Sequence, residues 1–259
     1  MLATLKKKTE TKPITTNLMY GFIISIIAYH HCRIRHKCGF YKRLIIYIID
    51  IKNNLKNANY IKSCIFEIMK SIVHSISKIV ALTADEEQLF LSKTEVKTYK
   101  SKTILLNSGE ICQNSYFVNS GLLRSFTVND ALVTHVLSFA CAGWWISDLY
   151  SLLSQKPGNL CIEVVEDAEV VVLSKKNQEE LYFEIPKTER FFRILIENSL
   201  IASQERVLDN LSLSAEARYE KFNKKYPTLM QKIPQKLVAS YIGVTPEFFS
   251  KMKAKIVKK

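Results

Sequence analysis

The sequence carries no Gly-x-Ser-x-Gly, His-Glu-x-x-His, Walker or Gly-x-Gly-x-x-Gly motif, so nothing in it points to nucleophilic hydrolysis, zinc proteolysis or nucleotide-phosphate chemistry. No enzymatic activity is expected. Cys-x-x-Cys pairs are missing as well. The six cysteines, Cys32, Cys38, Cys64, Cys112, Cys141 and Cys161, are scattered, which argues against a disulfide framework and against a zinc site. A reduced cytoplasmic protein is the simple reading, with no metal and no cofactor. The apolar runs Leu18–Tyr29 and Leu44–Ile49 are shorter than the roughly 20 residues that a membrane-spanning helix needs. A membrane partner is therefore not expected. Glycine and proline are absent from Lys187 to Tyr226, which leaves a long helix there without a breaker.

Acidic residues are scarce at both ends of the chain. The formal charge of +13 is divided unevenly. Residues 1–68 hold 12 Lys and Arg against 3 Asp and Glu, a balance of +9. Residues 69–220 hold 15 against 20, a balance of −5, and residues 221–259 hold 10 Lys against Glu247 alone, again +9. The middle is no general polyanion binder, whereas either end has the charge for nucleic acid or an anionic surface.

Residues 1–68 are rich in Ile, Lys, Asn and Tyr and show no clean helical or alternating period. They read as a poorly ordered or non-native extension, with Met69 as a plausible functional start. A basic start followed by an apolar run is a feature of signal peptides, but His30-His31-Cys32-Arg33 stands where a small-residue cleavage site belongs. The cluster of His30, His31 and His36 with Cys32 and Cys38 is better explained by composition than by a metal.

From Thr83 the texture changes. Thr83-Ala84-Asp85-Glu86 is a helix start, with a Thr cap and early acids suited to the positive end of a helix. Strand candidates follow at Thr103–Leu106, Tyr116–Val118, Leu122–Val128, Leu132–Ala140, Cys161–Val165 and Glu169–Leu173. They are separated by turn signals at Asn107-Ser108-Gly109, Asn119-Ser120-Gly121, Asn129-Asp130 and Lys156-Pro157-Gly158-Asn159. This spacing predicts a compact antiparallel barrel or roll over about 69–186. From Pro186 the period becomes helical. Phe191, Phe192, Leu195, Ile196, Ile201, Leu208 and Leu211 form an apolar stripe on a helix from about Thr188 to Asn210, roughly 34 Å long at 1.5 Å per residue. Its N-terminal aromatics are expected on the roll. Its later part, within a dimerisation helix over 187–212 that includes Leu195, Ile201 and Leu208, is expected at a two-helix seam.

The last 30 residues read as a helix pair. Ile233–Ile242 carries apolar Leu237, Val238, Tyr241 and Ile242, and Gly243 ends it where a positive φ is needed. Thr245 caps the next helix, Pro246 takes its first position and Glu247 its first turn. Phe248, Phe249, Met252 and Ile256 are the expected packing positions. This is a helix-turn-helix pattern over 213–259 with a basic second helix. With that helix in the major groove, Glu247 can accept from cytosine N4, and Ser250 and Lys251 can reach bases or phosphates. Lys253 and Lys255 would meet phosphates, as would Gln235 and Lys236 at the start of the first helix.

These segments resemble, in order and spacing, the Crp/Fnr family of bacterial transcription regulators over about residues 75–257. The stretches Lys102–Glu110 and Tyr116–Arg124 resemble the first turns of the family's cyclic-nucleotide-binding β-roll. Trp144–Tyr150 and Leu211–Tyr219 are similar to the Bacteroidetes-type branch. The resemblance implies an α+β chain: an antiparallel β-roll (a double-stranded β-helix, a cupin-like jelly roll), then a long dimerisation helix and a C-terminal helix-turn-helix bundle. It implies a homodimer on a two-fold double-stranded DNA operator, with half-sites about one turn of DNA apart.

Two departures qualify what carries over. Cyclic-nucleotide-binding members have a Gly-Glu helix opening and an Arg-Ser or Arg-Thr step, through which helix amides and a guanidinium hold the phosphate. Here Ser147-Asp148-Leu149 stands at the first position and Asn159-Leu160 at the second. Cyclic AMP binding is expected to be weak or absent, and Trp144, Trp145 and Asp148 are the candidates for a remodelled effector pocket. In the reading helix the family often has Arg-Glu-x-x-x-Arg, whereas this chain has Pro246, Glu247 and Lys251. Lysine lacks the guanidinium fork that grips guanine bidentately, so a different operator is expected. The competing expectation is a membrane-associated or protein-interacting sensor of the same fold that binds no DNA.

Overall fold

Two long strands organise the chain. The computed structural model describes residues 70–257, and the expectations for residues 1–68 lie outside the described residues. Helix α1 (70–77) and helix α2 (Ala84–Ser92) precede strands β1 (Glu95–Tyr99), β2 (Ile104–Leu106), β3 (Asn114–Val128), β4 (Thr134–Cys141) and β5 (Trp145–Ile146). Helix α3 (Leu149–Ser154) then leads to strand β6 (Cys161–Ser174). The remaining helices are α4 (Lys175–Glu184), α5 (Lys187–Ser212), α6 (Ala215–Lys225), α7 (Pro227–Lys232), α8 (Gln235–Ile242) and α9 (Pro246–Val257). The sheet runs β1-β6-β3-β4, with β2 also on β6 and β5 on β3, and its pairings are antiparallel.

The expected start of α2 is present in full. Thr83 Oγ1 accepts from the Glu86 amide and the Glu86 carboxylate accepts from the Thr83 amide, so two orphan donors at the helix start are satisfied reciprocally. That carboxylate also receives Lys187 at 2.9 Å, which ties α2 to the start of α5. Together these donors hold the Glu86 carboxyl below the ordinary carboxylate range, the Thr83 amide contributing most.

The strand expectations need correction at two places. Tyr116–Val118 and Leu122–Val128 are parts of one 15-residue strand, and Cys161–Val165 and Glu169–Leu173 are parts of one 14-residue strand. Asn119-Ser120-Gly121 does not reverse the chain. It sits where the β3–β6 register shifts, between Val118 and Leu123. The two strands stay paired from Asn114↔Ser174 to Phe126↔Cys161 while bending together. Gly121 has φ +89°, and a Cβ there would lie 2.4 Å from the Asp167 carbonyl oxygen. A glycine that looks like a turn signal is here a close backbone approach inside a bent ladder. The short strands β1 and β5 have too few residues to give a readable alternation and were not foreseen.

Three apolar clusters share this ladder. Inside the roll, Leu106, Cys112, Tyr116, Val118, Leu123, Ile146, Leu152, Ile162 and Val164 pack together. On one side, Phe117, Val171 and Leu173 meet Ile72 and Ile76 of α1, Phe90 of α2, Leu181 and Ile185 at α4, and Phe191 and Phe192 of α5. Trp145 lies 5.5 Å from both the Phe117 and Phe192 rings, so the aromatics at the start of α5 do pack on the roll. On the other side, Leu122, Phe126, Val136 and Phe139 share a core with Phe222, Leu237, Val238, Ile242, Phe249 and Met252 of the C-terminal helices. Cys112 is buried and Cys141 and Cys161 half-buried, all as free thiols serving as small apolar side chains.

Gly121→Ala is expected to cost about 2 kcal/mol or more, since both φ and space are wrong for a side chain; denaturant unfolding checks this. Burial pushes the Tyr116 phenol from 10.0 up to about 12, and the Tyr182 phenol also up to about 12. The unfolded chain therefore ionises first. Stability is complete below pH 10 and falls as pH rises toward 12. Tyr116→Phe is expected to make that alkaline loss shallower, leaving the share that belongs to Tyr182.

Candidate nucleic-acid interface

The helix pair forms as its residues dictate. Gly243 closes α8 at φ +82°, donating to the Ala239 carbonyl at 3.0 Å, and the Val244 amide reaches the same oxygen at 3.0 Å. Thr245 Oγ1 accepts from the Phe248 amide at 3.3 Å and opens α9, with Pro246 at its first position. Leu237, Val238, Ala239, Ile242, Phe249 and Met252 are buried between the helices, and the Tyr219 ring meets Phe249 edge-on at 5.3 Å. The face left outward carries Gln235, Lys236, Thr245, Pro246, Glu247, Ser250, Lys251 and Lys255, all exposed. Lys253 is only half-exposed and lies over the Phe249 ring, 5.9 Å from its centroid. The Ser250 hydroxyl donates to the Pro246 carbonyl at 2.9 Å, which spends its proton inside the helix and leaves its lone pairs for accepting.

Phe248 departs from the packing expected of it: it is 49 % exposed, beside Glu247 and one turn before Lys251. Among four apolar positions in so short a helix, spacing alone does not separate the one that points out. An outward phenylalanine offers an apolar surface of the kind that can meet the methyl group of thymine. Two of the ten C-terminal lysines are committed elsewhere, Lys221 to Asp209 at 2.7 Å and Lys225 to Glu205 at 3.2 Å, both acids on α5.

The pair is docked on the roll through α8. Ser240 Oγ donates to the Thr134 carbonyl at 2.6 Å and accepts from the Val136 amide at 3.0 Å. Arg206 of α5 donates to the carbonyls of Val136 (2.6 Å), Leu137 and Tyr241 (3.0 Å), and its guanidinium lies 4.1 Å above the Tyr241 ring. One side chain thus joins a strand of the roll, the long helix and the C-terminal helix pair, and burial pushes its guanidinium below its usual range. Arg218 holds the same C-terminal end of α8, donating to the Ile242 carbonyl at 3.0 Å and the Leu213 carbonyl at 2.8 Å. Sequence reading missed Arg206, Arg218 and Ser240, whose partners lie 24 to 106 residues away apart from Leu213.

The effector candidates separate. Trp144 and Trp145 line a cavity of about 470 Å³ bounded by β4, α3, α5 and the C-terminal helices. Asp148 is not among its lining residues. It is almost fully buried at the start of α3, where its Oδ1 accepts from the Ser151 amide at 3.2 Å while Oδ2 has no hydrogen-bond partner. A Cβ on Gly158 would fall 2.1 Å from that Oδ2.

On α5, Ile201 and Leu208 are exposed, as are Leu200, Val207 and Leu211. Leu195 does not join them. It is half-buried, packing against the aromatic cluster on the roll and lining the cavity. Among the described residues no helix is long and apolar enough to cross a membrane, and no group of three His, Cys, Asp or Glu residues is placed to hold a metal.

Neither a family profile nor a curated protein matches the sequence. Solved structures do match it. The c-di-GMP-responsive global regulator CLP of Xanthomonas campestris superposes with a TM-score of 0.58 at 14 % identity, over 68 % of this chain and 92 % of that one. FixK2 of Bradyrhizobium japonicum gives 0.56 at 15 % identity, over 64 % and 85 %. A protein of Eubacterium rectale described as a Crp/Fnr-family transcriptional regulator gives 0.56 at 15 % identity, over 68 % and 85 %. The fold is that of the Crp/Fnr transcriptional regulators: a β-roll of the cyclic-nucleotide-binding type, a long helix and a C-terminal helix pair.

Ser240→Ala removes the acceptor of the fully buried Val136 amide. A loss of about 1–3 kcal/mol is expected, and hydrogen exchange at Val136 should quicken well beyond its neighbours.

Proposed function

We propose that this chain is a dimeric, DNA-binding transcription regulator with a sensor roll that has lost cyclic-nucleotide binding, acting in the cytoplasm. The observation that carries the reading is the outward face of α9, where Glu247, Phe248, Ser250, Lys251 and Lys255 stand exposed on a capped helix packed firmly from behind. The fold shared with three transcription regulators supports it. Lys251, Lys255, Lys236 and Gln235 supply phosphate contacts that fix register, and Glu247, with Phe248 beside it, reads base edges.

Homodimerisation is supported by the apolar stripe of Leu200, Ile201, Val207, Leu208 and Leu211 along α5, exposed at 55 % or more. The spacing of Leu200, Val207 and Leu211 suits a two-helix seam. Such a seam would present two α9 helices to half-sites one turn of DNA apart.

The loss of nucleotide sensing is supported by Asn159, which stands where the family resemblance expects the arginine that grips a cyclic phosphate and offers no guanidinium. At the helix opening Asp148, at the position of the family's Glu, is buried with its carboxyl on the Ser151 amide.

The test is selection of bound sequences from a labelled double-stranded DNA pool at two salt concentrations, with affinity read by fluorescence anisotropy. A palindromic site, with affinity falling as salt rises, is expected. Lys251→Ala should weaken binding and reduce the salt slope by about one charge, whereas Phe248→Ala should relax discrimination at one thymine position by about 1 kcal/mol. A folded dimer that enriches no sequence and shows no salt-sensitive binding would overturn the reading.

A further inference from the structure

We infer that the cavity between β4, α5 and the C-terminal helices is a binding site for an amphipathic organic monoanion, a carboxylate head on an apolar body, whose head engages Arg206. At about 470 Å³ the cavity falls in the range of small-molecule sites, roughly 300–1,000 Å³. Its walls are mainly apolar and aromatic, with Trp144, Trp145, Phe192 and Leu153 among them, so they suit a chain or ring system. Neither a carboxylate nor a lysine lines it, and Arg206 is its one charged lining residue. Among the described residues Arg206 makes no ion pair: its guanidinium is held by three neutral carbonyls and a ring, in surroundings dry enough to disfavour its charge.

A half-buried cation without a counter-charge is costly, and one that lines an apolar cavity suits an anionic ligand there. Charge-assisted, bidentate Arg–carboxylate bonds are roughly twice as strong as bonds to neutral acceptors, so a carboxylate can take the guanidinium from its carbonyls. A single cation matches a single negative charge, which favours a carboxylate over a phosphate dianion. The site lies outside the roll interior, which is filled by Leu106, Tyr116, Leu123, Ile162 and Val164. Asp148 does not line it, although its neighbours Ser147 and Leu149 do. Occupancy would draw Arg206 from the Val136, Leu137 and Tyr241 carbonyls and loosen α8 from β4. That last consequence rests on the DNA-binding reading, whereas the site itself does not.

Trp144 and Trp145 are the only two tryptophans in the chain and both line the cavity, so intrinsic emission of the full-length protein reports on this site without DNA. Decanoate, added below its aggregation limit, is expected to change the emission saturably. Decanol, of the same chain length but neutral, should bind at least tenfold more weakly. Arg206→Gln should remove the preference for decanoate, Arg206→Lys should keep part of it, and Ala202→Phe, on the cavity wall, should suppress both responses while circular dichroism stays unchanged. Equal affinity for decanoate and decanol, no saturable response to decanoate, or a preference that survives Arg206→Gln would overturn the proposal. So would a cyclic AMP response with the same Arg206 dependence but no response to decanoate. Should Arg206→Gln not fold, Ala202→Phe decides: a response left intact places the ligand elsewhere. Failure here leaves the DNA selection experiment untouched, and failure of that experiment leaves this site standing.

Discussion

Every core in the described chain draws on one antiparallel ladder, the pairing of β3 with β6. Alternate side chains of these two strands enter the roll interior, among them Tyr116, Val118, Leu123, Ile162 and Val164. Phe117, Val171 and Leu173 leave the same ladder on its other face to seat α1, α2 and the start of α5. Beyond the bend at Gly121, Leu122 and Phe126 serve the core shared with the C-terminal helices. The bend makes this division possible. Before it one face of β3 looks toward the long helix, and after it the next outward residues look toward the C-terminal helix pair. A straight ladder would send both sets the same way.

The helix signals were legible because they are local. The Thr83–Glu86 capping box, the Gly243 stop and the Thr245-Pro246 start each involve residues within four positions of one another, and the structure forms all of them. The sheet was only partly legible. Turn chemistry at Asn119–Gly121 reads the same whether the chain reverses or bulges, and the difference is decided by Asp167 and Ala168, more than 40 residues away. At the candidate interface, the outward polar face of α9 followed from periodicity. The exposure of Phe248, the commitment of Lys221 and Lys225 to α5 and the docking through Ser240 did not, because each depends on which face a neighbouring element covers.

The C-terminal helix pair is held to the roll by both apolar and polar means, and the two differ in how they respond to change. The shared core of Phe139, Phe222 and Val238 is non-directional and tolerates small shifts. The Ser240 and Arg206 bonds are directional and fix one orientation of α8 on β4. An input that removes the directional contacts and leaves the apolar ones would permit rotation of the pair without its detachment, which is how a small local event becomes a change in geometry at α9.

Asp148 has a consequence for substitution at the opening of α3. Its carboxyl is buried, with one oxygen on the Ser151 amide and the other without a hydrogen-bond partner, and Gly158 packs so close that a Cβ there would fall 2.1 Å from it. The two positions are therefore coupled: a side chain at 158 fits only if residue 148 is shortened, so they change together rather than singly.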